Sequence, residues 1–466
     1  MTIDRFPNQS RRAFLRRASA LSVAGTATPS MLNLASMAEA SAATATDYKA
    51  IVCVFLYDGN DNANTVIPYD MANYTLYQAQ RPTLSIPRTN LINTVLAPTI
   101  VPQDSAGVAR QFALAPELAN LLPIFDAGRM AAVLNVGTLV QPTTKLQYVN
   151  RSVALPPKLF SHNDQQSILQ SSSPEGASTG WGGRMGDLFQ ASNANSTFSC
   201  VNVSGNAVFL SGNSAVQYQV TAAGSVPLAG ISNPLFGSKA CSDALRTLVS
   251  QSSTHLLENE HARVMRRSID ANTVLSDALS GGPAIATPFP AQNALADQLK
   301  LVARMISNAS VIGAKRQVFF VSLGGFDTHD GLLTVHPGLL KKVSEALAAF
   351  YATTTELGVA DKVTTFTASD FGRTLTGNND GSDHGWGSMH FVLGGAVNGK
   401  RFYGTPPIVA SNGPDDVGQG RLLPTTSVDQ YAATLGKWLG LSDSALLGVL
   451  PNLGNYNLAA RTLGFV

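Results

Sequence analysis

Four continuous runs of apolar and β-branched residues restrict the fold of this chain more than any other feature. They are residues 48–57 (YKAIVCVFLY), 130–136 (MAAVLNV), 317–323 (QVFFVSL) and 363–367 (VTTFT). The runs lack the strict apolar/polar alternation of half-buried strands, and this pattern is typical of strands buried on both faces of a parallel sheet. Helical stretches separate the runs. The alternation predicts the α/β class, with a mostly parallel central sheet flanked by helices.

Acidic residues, histidines and glycines follow three of these runs directly. The first run ends at Asp58-Gly59-Asn60-Asp61, the third at residues 324–330 (GGFDTHD), and the fourth opens the Gly-rich stretch 369–387. Five of the seven histidines fall in or beside such junctions: His162, His329, His336, His384 and His390. Because ligands of parallel sheets bind outside the carboxyl ends of the strands, the sequence predicts a functional site at one edge of this sheet. For residues 58–61 alone, a simple Asx-type turn is the alternative.

The residue types at these junctions are those that bind divalent metal ions in proteins. Carboxylate and imidazole ligands suit Zn²⁺ or Mn²⁺, and a set with few imidazoles suits Mg²⁺ or Ca²⁺. Two such ions would clamp the attacking and leaving oxygens of an ester displacement. The candidate ligands are Asp58, Asp61, Asp327, His329, Asp370, Asp383, His384 and His390.

Three further residues are candidates for catalysis. Ser161 precedes a predicted helix and can be a nucleophile whose hydroxyl a metal deprotonates, or it can simply cap the helix. His162 lies beside it at the amino terminus of the helix, where free amide groups favour an anion. Arg373 can hold an anionic oxygen of the substrate through the fork of its guanidinium.

The amino terminus has the pattern of an export signal. Residues 10–16 (SRRAFLR) match the twin-arginine pattern, a mildly apolar stretch follows, and Ala40-Ser41-Ala42 offers a cleavage site. Residues 1–42 are therefore predicted to be a signal peptide read by the twin-arginine export machinery. The apolar stretch is too short and too polar for a stable membrane span. The expected location is periplasmic or secreted, and export of an already folded protein is compatible with metal loading in the cytoplasm.

Charge and cysteine content exclude some functions and leave one question open. The chain has 466 residues and a formal charge of +2, but the signal segment holds five arginines against two acidic residues, so the remainder carries −1. Without a basic stripe, nucleic acid is not expected as a partner. Cys53 lies in the first apolar run and is expected in the core. Cys200 and Cys241 can either pair in an oxidising compartment or remain separate thiols.

Residues 43–466 are expected to form a single domain. Residues 190–235 change to short alternating runs rich in Asn, Ser, Gly, Val and Thr, which predicts an inserted, β-rich, cap-like segment. Helices are predicted at 115–128, 236–282, 291–309 and 427–439, and a further apolar strand at 391–397.

Several motifs resemble a known family when they are taken in order. They are the twin-arginine start, GNDNANTVIPY (59–69), LFSHNDQ (159–165), TGWGGRMGDL (179–188), GGFDTHDG (324–331), SDFGRTLTGNNDGSDHGWG (369–387), VDQYAATLGKWLG (428–440) and PNLGNY (451–456). Together they resemble the bacterial exported family catalogued as domain of unknown function fifteen hundred and one. That family is similar in fold to the alkaline phosphatase and sulfatase superfamily, a three-layer α/β sandwich.

The resemblance implies cleavage or transfer of phosphate or sulfate esters at a metal site. It places a ligand at Asp58 or Asp61, the nucleophile nearest Ser161, and further ligands at Asp327, His329, Asp370 and His384. The sequence departs from the superfamily at Asp370-Phe371, where an Asp-His pair is expected. Either His384 or His390 must supply the missing imidazole, or a second metal is not held.

Two functions follow from these expectations. The first is an exported metal-dependent hydrolase acting on an anionic small-molecule or polymer ester. The alternative is a protein that has kept the fold but lost catalysis, and that acts as a binding or assembly protein in the periplasm or at the cell surface.

Overall fold

The structure is a computed structural model that describes residues 45–466. The predicted signal peptide, residues 1–42, lies outside the described residues. The strands are β1 (Lys49–Leu56), β2 (Val66–Pro68), β3 (Phe112–Leu114), β4 (Met130–Gly137), β5 (Cys200–Asn202), β6 (Tyr218–Thr221), β7 (Gly224–Ser225), β8 (Arg316–Leu323), β9 (Val363–Ser369), β10 (Arg373–Gly377), β11 (Ser382–His384), β12 (Ser388–Leu393), β13 (Arg401–Tyr403) and β14 (Thr426–Ser427). The α-helices are α1 (Met71–Gln80), α2 (Leu122–Asp126), α3 (Lys145–Asn150), α4 (His162–Ser171), α5 (Trp181–Phe189), α6 (Lys239–Ser250), α7 (Leu256–Gly281), α8 (Ala294–Ser307), α9 (Leu332–Glu356), α10 (Val428–Leu439) and α11 (Asp443–Val449).

Ten of the strands form one central sheet, in the order β13-β4-β12-β9-β1-β8-β5-β6-β7, with β14 also paired to β4. Strand β1 runs parallel to both neighbours, β8 and β9. Strand β12 is antiparallel to both β4 and β9, so β4 points in the same direction as β9. The carboxyl ends of β1, β4, β8 and β9 therefore meet at one edge of the sheet.

The sheet is covered on both faces, which explains the continuous apolar runs. Alternate residues of β1 belong to two different core clusters: Val52 and Val54 pack on one side, and Cys53 and Phe55 on the other. The first cluster includes apolar residues of α8 and α9, and the second includes those of α5, α10 and α11. Because successive side chains of a strand point to opposite faces, a strand between two helix layers must be apolar at every position. The predicted α/β class with a mostly parallel central sheet is confirmed.

Some elements differ from their predicted form. The predicted helix at 115–128 is a 3-10 turn, Pro116–Leu121, followed by the short helix α2. The strand expected at 391–397 is β12, which begins and ends earlier, at Ser388 and Leu393. Residues 190–235 supply the short strands β5, β6 and β7, which extend one edge of the main sheet.

Cys200 and Cys241 do not form a disulfide. Cys200 is buried in β5, whereas Cys241 is exposed on α6, and both are free thiols. Within residues 45–466, no helix combines the length and the apolar character needed to cross a membrane.

A buried carboxyl group on α10 gives a pH-dependent prediction for stability. Asp429 is fully buried, and its Oδ2 atom makes no hydrogen bond to any described residue. Its Oδ1 accepts the backbone N–H of Asn452, at 3.2 Å. Burial raises the pKa of Asp429 to about 6. The folded state therefore binds this proton more tightly than the unfolded state, so the associated stabilisation is present below pH 4 and is lost as the pH rises through 6.

We expect Asp429→Asn to stabilise the protein at pH 8 and to leave its stability almost unchanged at pH 4. The difference between a pKa of about 6 and the ordinary value of 3.8 corresponds to about 3 kcal/mol. The asparagine oxygen can still accept the Asn452 N–H. Denaturant unfolding of both proteins at the two pH values measures the effect. Equal stabilities at pH 8 would show that Asp429 ionises without penalty.

Candidate metal centre

The turns after β1, β8 and β9 bring three carboxylates to the same edge of the sheet. Leu56 is level with Leu323 of β8 and with Ser369 of β9, so Asp58, Asp327 and Asp370 leave the sheet within a few residues of each other. Asp58 adopts a positive φ of 81°, a conformation that Asp tolerates better than most residues. Its backbone N–H donates to Asp370 Oδ2 at 3.3 Å, and its own Oδ2 accepts the N–H of Gly325 at 2.9 Å.

Asp327 is the centre of the cluster. Its Oδ1 atom accepts a hydrogen bond from Arg373 Nη1 at 2.8 Å. The same oxygen lies 3.0 Å from His329 Nε2, 3.4 Å from His384 Nε2 and 3.5 Å from His162 Nε2. One carboxylate oxygen thus faces a guanidinium and three imidazoles. The side chain remains 41% exposed, so the cluster is open to solvent at this point.

The other nitrogen of each imidazole has an oxygen partner that orients the ring. His162 Nδ1 lies 2.9 Å from Asp370 Oδ2, and His384 Nδ1 lies 2.7 Å from the carbonyl oxygen of Phe160. His329 Nδ1 lies 3.1 Å from Asp383 Oδ1. A carbonyl or carboxylate oxygen accepts a hydrogen bond, so we assign the Nδ1–H tautomer to these rings when they are neutral. This leaves three Nε2 lone pairs directed towards Asp327.

These nitrogens need a proton or a metal ion between them. His329 Nε2 and His384 Nε2 are only 2.9 Å apart, a separation at which two unprotonated nitrogens repel each other. His162 Nε2 is buried and makes no hydrogen bond within the described part of the chain. Ligand atoms of His162, Asp327 and His384 lie within 4.8 Å of one another. Imidazoles whose second nitrogen donates to a carboxylate or carbonyl are the usual protein ligands of zinc. The donor set therefore fits one divalent metal ion.

The pKa values of the cluster follow from these contacts. The hydrogen bond to Asp370 raises the pKa of His162, whereas burial lowers the pKa of His384. Burial favours the protonated form of Asp327, but the hydrogen bond and charge of Arg373, together with the charges of His329 and His162, outweigh it, so the pKa of Asp327 is lowered. Burial raises the pKa of Asp370. Asp327 is thus held ionised beside His384, which is held neutral, as metal binding requires, whereas the raised pKa of His162 favours the imidazolium, whose Nε2 proton a metal ion would have to displace.

Arg373 supports the carboxylate rather than lying open to solvent. Its side chain is fully buried, and it donates from Nε to the carbonyl oxygen of Ser382 at 2.9 Å. Its Nη1 donates to Asp327 and, at 3.3 Å, to the carbonyl oxygen of Asp58. Most of its N–H groups therefore already donate hydrogen bonds within the protein. Arg373 would contribute to anion binding through its positive charge and by orienting Asp327.

The predicted nucleophile, Ser161, is the N-cap of α4, but its hydroxyl donates to Asp164 Oδ2 at 3.0 Å. The next residue, His162, is the one that reaches the cluster. Asp383 lies at the outer side, where it contacts His329 and Asn378.

Two predicted ligands, Asp61 and His390, lie outside the cluster. Asp61 is fully buried, and its carboxylate pairs with Arg81 at 2.8 Å. His390 is buried on β12 and stacks on Tyr431, with ring centroids 6.0 Å apart. Burial lowers its pKa to about 3, so it is neutral. Neither of its ring nitrogens has a hydrogen-bond partner among residues 45–466.

Two contributors to the site carry little signal in the sequence. The carbonyl of Phe160 orients His384, and a backbone acceptor can belong to any residue type. Phe371 packs its ring 4.8 Å from the ring of His162 and 4.9 Å from that of His384. In the sequence, Phe371 stands out only because it replaces the histidine that the superfamily pattern places after Asp370.

Comparison with solved structures gives distant likenesses over most of the chain. The lipoteichoic acid synthase LtaP from Listeria monocytogenes is 8% identical, with 86% of this chain and 74% of that chain covered and a TM-score of 0.32. The periplasmic domain of EptC from Escherichia coli, in complex with Zn, is 11% identical, with coverage of 86% and 84% and a TM-score of 0.32. The PsFucS1 sulfatase from Pseudoalteromonas sp. is 8% identical, with coverage of 89% and 72% and a TM-score of 0.30. At these values none of them carries an inference about activity.

Sequence comparison is more specific about the family. No curated protein matches the chain. A family model described as "Protein of unknown function (DUF1501)" matches residues 48–450, most of the chain, and includes every residue of the cluster. The predicted family is thereby confirmed for the motifs within residues 48–450, and the chain belongs to the DUF1501 family.

Proposed function

We propose that this protein is an exported, metal-dependent hydrolase of phosphate or sulfate esters. The observation that carries the proposal is the convergence of three oriented imidazoles and one guanidinium on Asp327 Oδ1. Such a site can hold a metal ion and an anion together. The export signal expected in residues 1–42 and the motif resemblance to an esterase superfamily agree with the proposal.

The metal would be held by His162, Asp327 and His384. Zn²⁺ is the best match, because imidazole nitrogens with one carboxylate are its common catalytic ligands, and Mn²⁺ is the second choice. When bound, such an ion supplies Lewis-acid polarisation of the ester oxygens and lowers the pKa of water. Three protein ligands would leave a coordination position for substrate or water.

Positive charge and backbone amides would hold the anionic part of the ester. Arg373 places a permanent charge beside Asp327. Helix α4, ten residues long, begins at His162, so its first N–H groups and the positive end of its dipole lie at the same edge of the cluster. A phosphate or sulfate group between these features would be oriented for attack by water.

His329 is the group best placed to move a proton. It is 40% exposed, and Asp383 supports its Nδ1 at 3.1 Å. Its exposure distinguishes it from His162 and His384, whose side chains are 26% and 23% exposed. In the proposed reaction His329 accepts a proton from the attacking water or gives one to the leaving alcohol.

We expect His329→Gln to lower kcat by about 10²–10⁴-fold, the usual contribution of a positioned acid or base. Binding of Zn²⁺ should persist, because the three proposed ligands remain. His261→Gln, which changes an exposed histidine on α7, is the matched control and should leave both quantities unchanged. The assay is hydrolysis of an aryl ester with metal affinity measured in parallel. A His329→Gln protein with unaltered kcat would exclude His329 from proton transfer.

One observation favours the second candidate function, a catalytically inactive binding or assembly protein. The hydroxyl of Ser161 bonds to Asp164 and not to the cluster, so the nucleophile implied by family resemblance is not in place. Purified protein loaded with Zn²⁺ or Mn²⁺, assayed on aryl phosphates and aryl sulfates with and without chelator, separates the two functions. Chelator-sensitive turnover supports the hydrolase. Metal binding with no turnover on either ester class supports the binding protein.

A further inference from the structure

Two groups of side chains at the cluster can each be considered as a metal site, and they share one residue. The first group is His162, Asp327 and His384, and the second is Asp58, His162 and Asp370. We propose that the centre holds one divalent ion, in the first group only, and that Arg373 supplies the second positive charge. This inference rests on the metal binding assumed in the proposed function and specifies the number and place of the ions.

The shared histidine makes the two groups mutually exclusive. The first group uses His162 Nε2, which lies 3.5 Å from Asp327 Oδ1. The second group uses Nδ1, which lies 2.9 Å from Asp370 Oδ2. A neutral imidazole has one protonated nitrogen and one nitrogen with a free lone pair. Serving two ions at once would require His162 to lose both ring protons.

The hydrogen bonds present in the structure favour the first group. His162 Nδ1 already has Asp370 as its partner, whereas Nε2 is buried and has no hydrogen bond among the described residues. His384 is oriented in the same way, with Nδ1 towards the Phe160 carbonyl and Nε2 towards Asp327. Both imidazoles therefore present an available lone pair to the same position.

Two of the four carboxylate oxygens of the second group accept hydrogen bonds from the protein. Asp58 Oδ2 accepts the N–H of Gly325. Asp370 Oδ2 accepts from His162 and from the N–H of Asp58. Asp370 Oδ1 is the one carboxylate oxygen of this group that is buried without a hydrogen bond in the described chain, and it is the strongest argument for a competing site. Without a lone pair from His162, this oxygen belongs to a weaker donor set than the two imidazoles and one carboxylate of the first group.

Phe371 packs against residues of both groups and against the turn that follows Asp58. Its ring lies against the rings of His162 and His384. It also contacts Gly59 so closely that a Cβ at that glycine would lie 2.5 Å from a ring atom. Because Gly59 follows Asp58 and Phe371 follows Asp370, this contact fixes the two turns that carry the carboxylates of the second group.

Arg373 provides the charge that a second ion would otherwise bring. Its buried guanidinium lies 2.8 Å from Asp327 Oδ1 and also binds the carbonyl oxygen of Asp58. The guanidinium of Arg373 thus lies between the Asp327 carboxylate of the first group and the Asp58 backbone carbonyl of the second. Arginine keeps its charge at every accessible pH, so this cation is permanent and needs no loading.

Isothermal titration of the purified full chain with ZnCl₂ tests the proposal, with three single variants. Asp58→Asn and Asp370→Asn remove the carboxylates that only the second group uses as ligands. Asparagine keeps an acceptor oxygen in both, and it tolerates the positive φ of Asp58. His384→Gln removes a ligand of the first group alone. Zinc sites that are lost in His384→Gln belong to the centre. Zinc sites that remain in this variant are counted separately, as weak binding at exposed histidines.

We expect one Zn²⁺ per wild-type chain at this centre. Asp58→Asn should keep that site with a Kd within about tenfold. Asp370→Asn, which changes only the partner of a ligand, should weaken binding by about 10–100-fold. His384→Gln should weaken it by more than about 100-fold. Should His384→Gln fail to fold, the tight sites in the wild-type titration are counted instead, because zinc at exposed histidines binds weakly.

Other results would overturn the inference in distinguishable ways. Two ions per wild-type chain, both sensitive to cluster variants, would refute it and leave the proposed function standing. One ion abolished by Asp58→Asn but kept in His384→Gln would place the metal in the second group. No zinc, with the same result for MnCl₂, would refute both this inference and metal-dependent hydrolysis.

Discussion

Replacing Asp327 with asparagine is expected to remove both metal binding and turnover. The carboxylate is the one group that contacts Arg373 and all three imidazoles of the cluster. An amide has similar size but no negative charge, so the cation held between the imidazoles would lose its anionic ligand. The amide NH₂ group would also face Arg373 or an imidazole in one of its two orientations.

We expect Asp327→Asn to lower kcat/KM by at least about 10³-fold, a loss of about 4 kcal/mol of transition-state stabilisation. Asp330→Asn, three residues away on the same turn and exposed, is the matched control and should keep full activity. Because the Asp327 side chain is 41% exposed, loss of its ion pairs should change the free energy of unfolding by only about 1 kcal/mol. The measurements are aryl ester hydrolysis, zinc titration and denaturant unfolding. An Asp327→Asn protein that binds zinc and retains activity within tenfold would contradict the proposed centre.

The largest stability effect is expected at the buried ion pair behind the site. Arg81 and Asp61 are both fully buried and lie 2.8 Å apart. Arg81 also donates to the side-chain oxygen of Asn64 and to the carbonyl oxygens of Thr374 and Leu375. The pair therefore connects the turn after β1 with strand β10, which carries Arg373.

Arg81→Met should destabilise the protein by about 3–5 kcal/mol, because it leaves Asp61 buried without its cation. The double variant Arg81→Met with Asp61→Asn should recover part of this loss, since the remaining group is uncharged. Lys239→Met, at an exposed ion pair with Asp243 on α6, is the control and should cost about 0.5 kcal/mol or less. Chemical denaturation measures all three variants. A loss below 1 kcal/mol for Arg81→Met would show that the pair contributes little.

The sequence was sufficient for the architecture of the sheet and for the edge that bears the site. Continuous apolar runs identify strands covered on both faces, and parallel strands necessarily bring their carboxyl ends together. Asp58, Asp327 and Asp370 could be placed at one edge on that argument alone. The distances between these three carboxylates depend on the geometry of the turns after the strands. The pattern of apolar runs in the sequence does not determine that geometry.

The roles of individual residues after the strands were not predictable in the same way. Asp58 and Asp61 are both acidic and three residues apart, but the partner that draws Asp61 away from the edge is Arg81, on another element. His390 belongs to a strand that runs antiparallel to β9, and its side chain lies against Tyr431 in the core. Ser161 and His162 are adjacent, and local backbone angles decide which of them faces the cluster.

The most direct test of the metal centre is the anomalous difference density of a zinc-loaded crystal, measured on both sides of the zinc absorption edge. We expect one peak at the cluster, about 2.0–2.2 Å from His162 Nε2, His384 Nε2 and an Asp327 oxygen. A peak between Asp58 and Asp370, two peaks, or none at the cluster would contradict it.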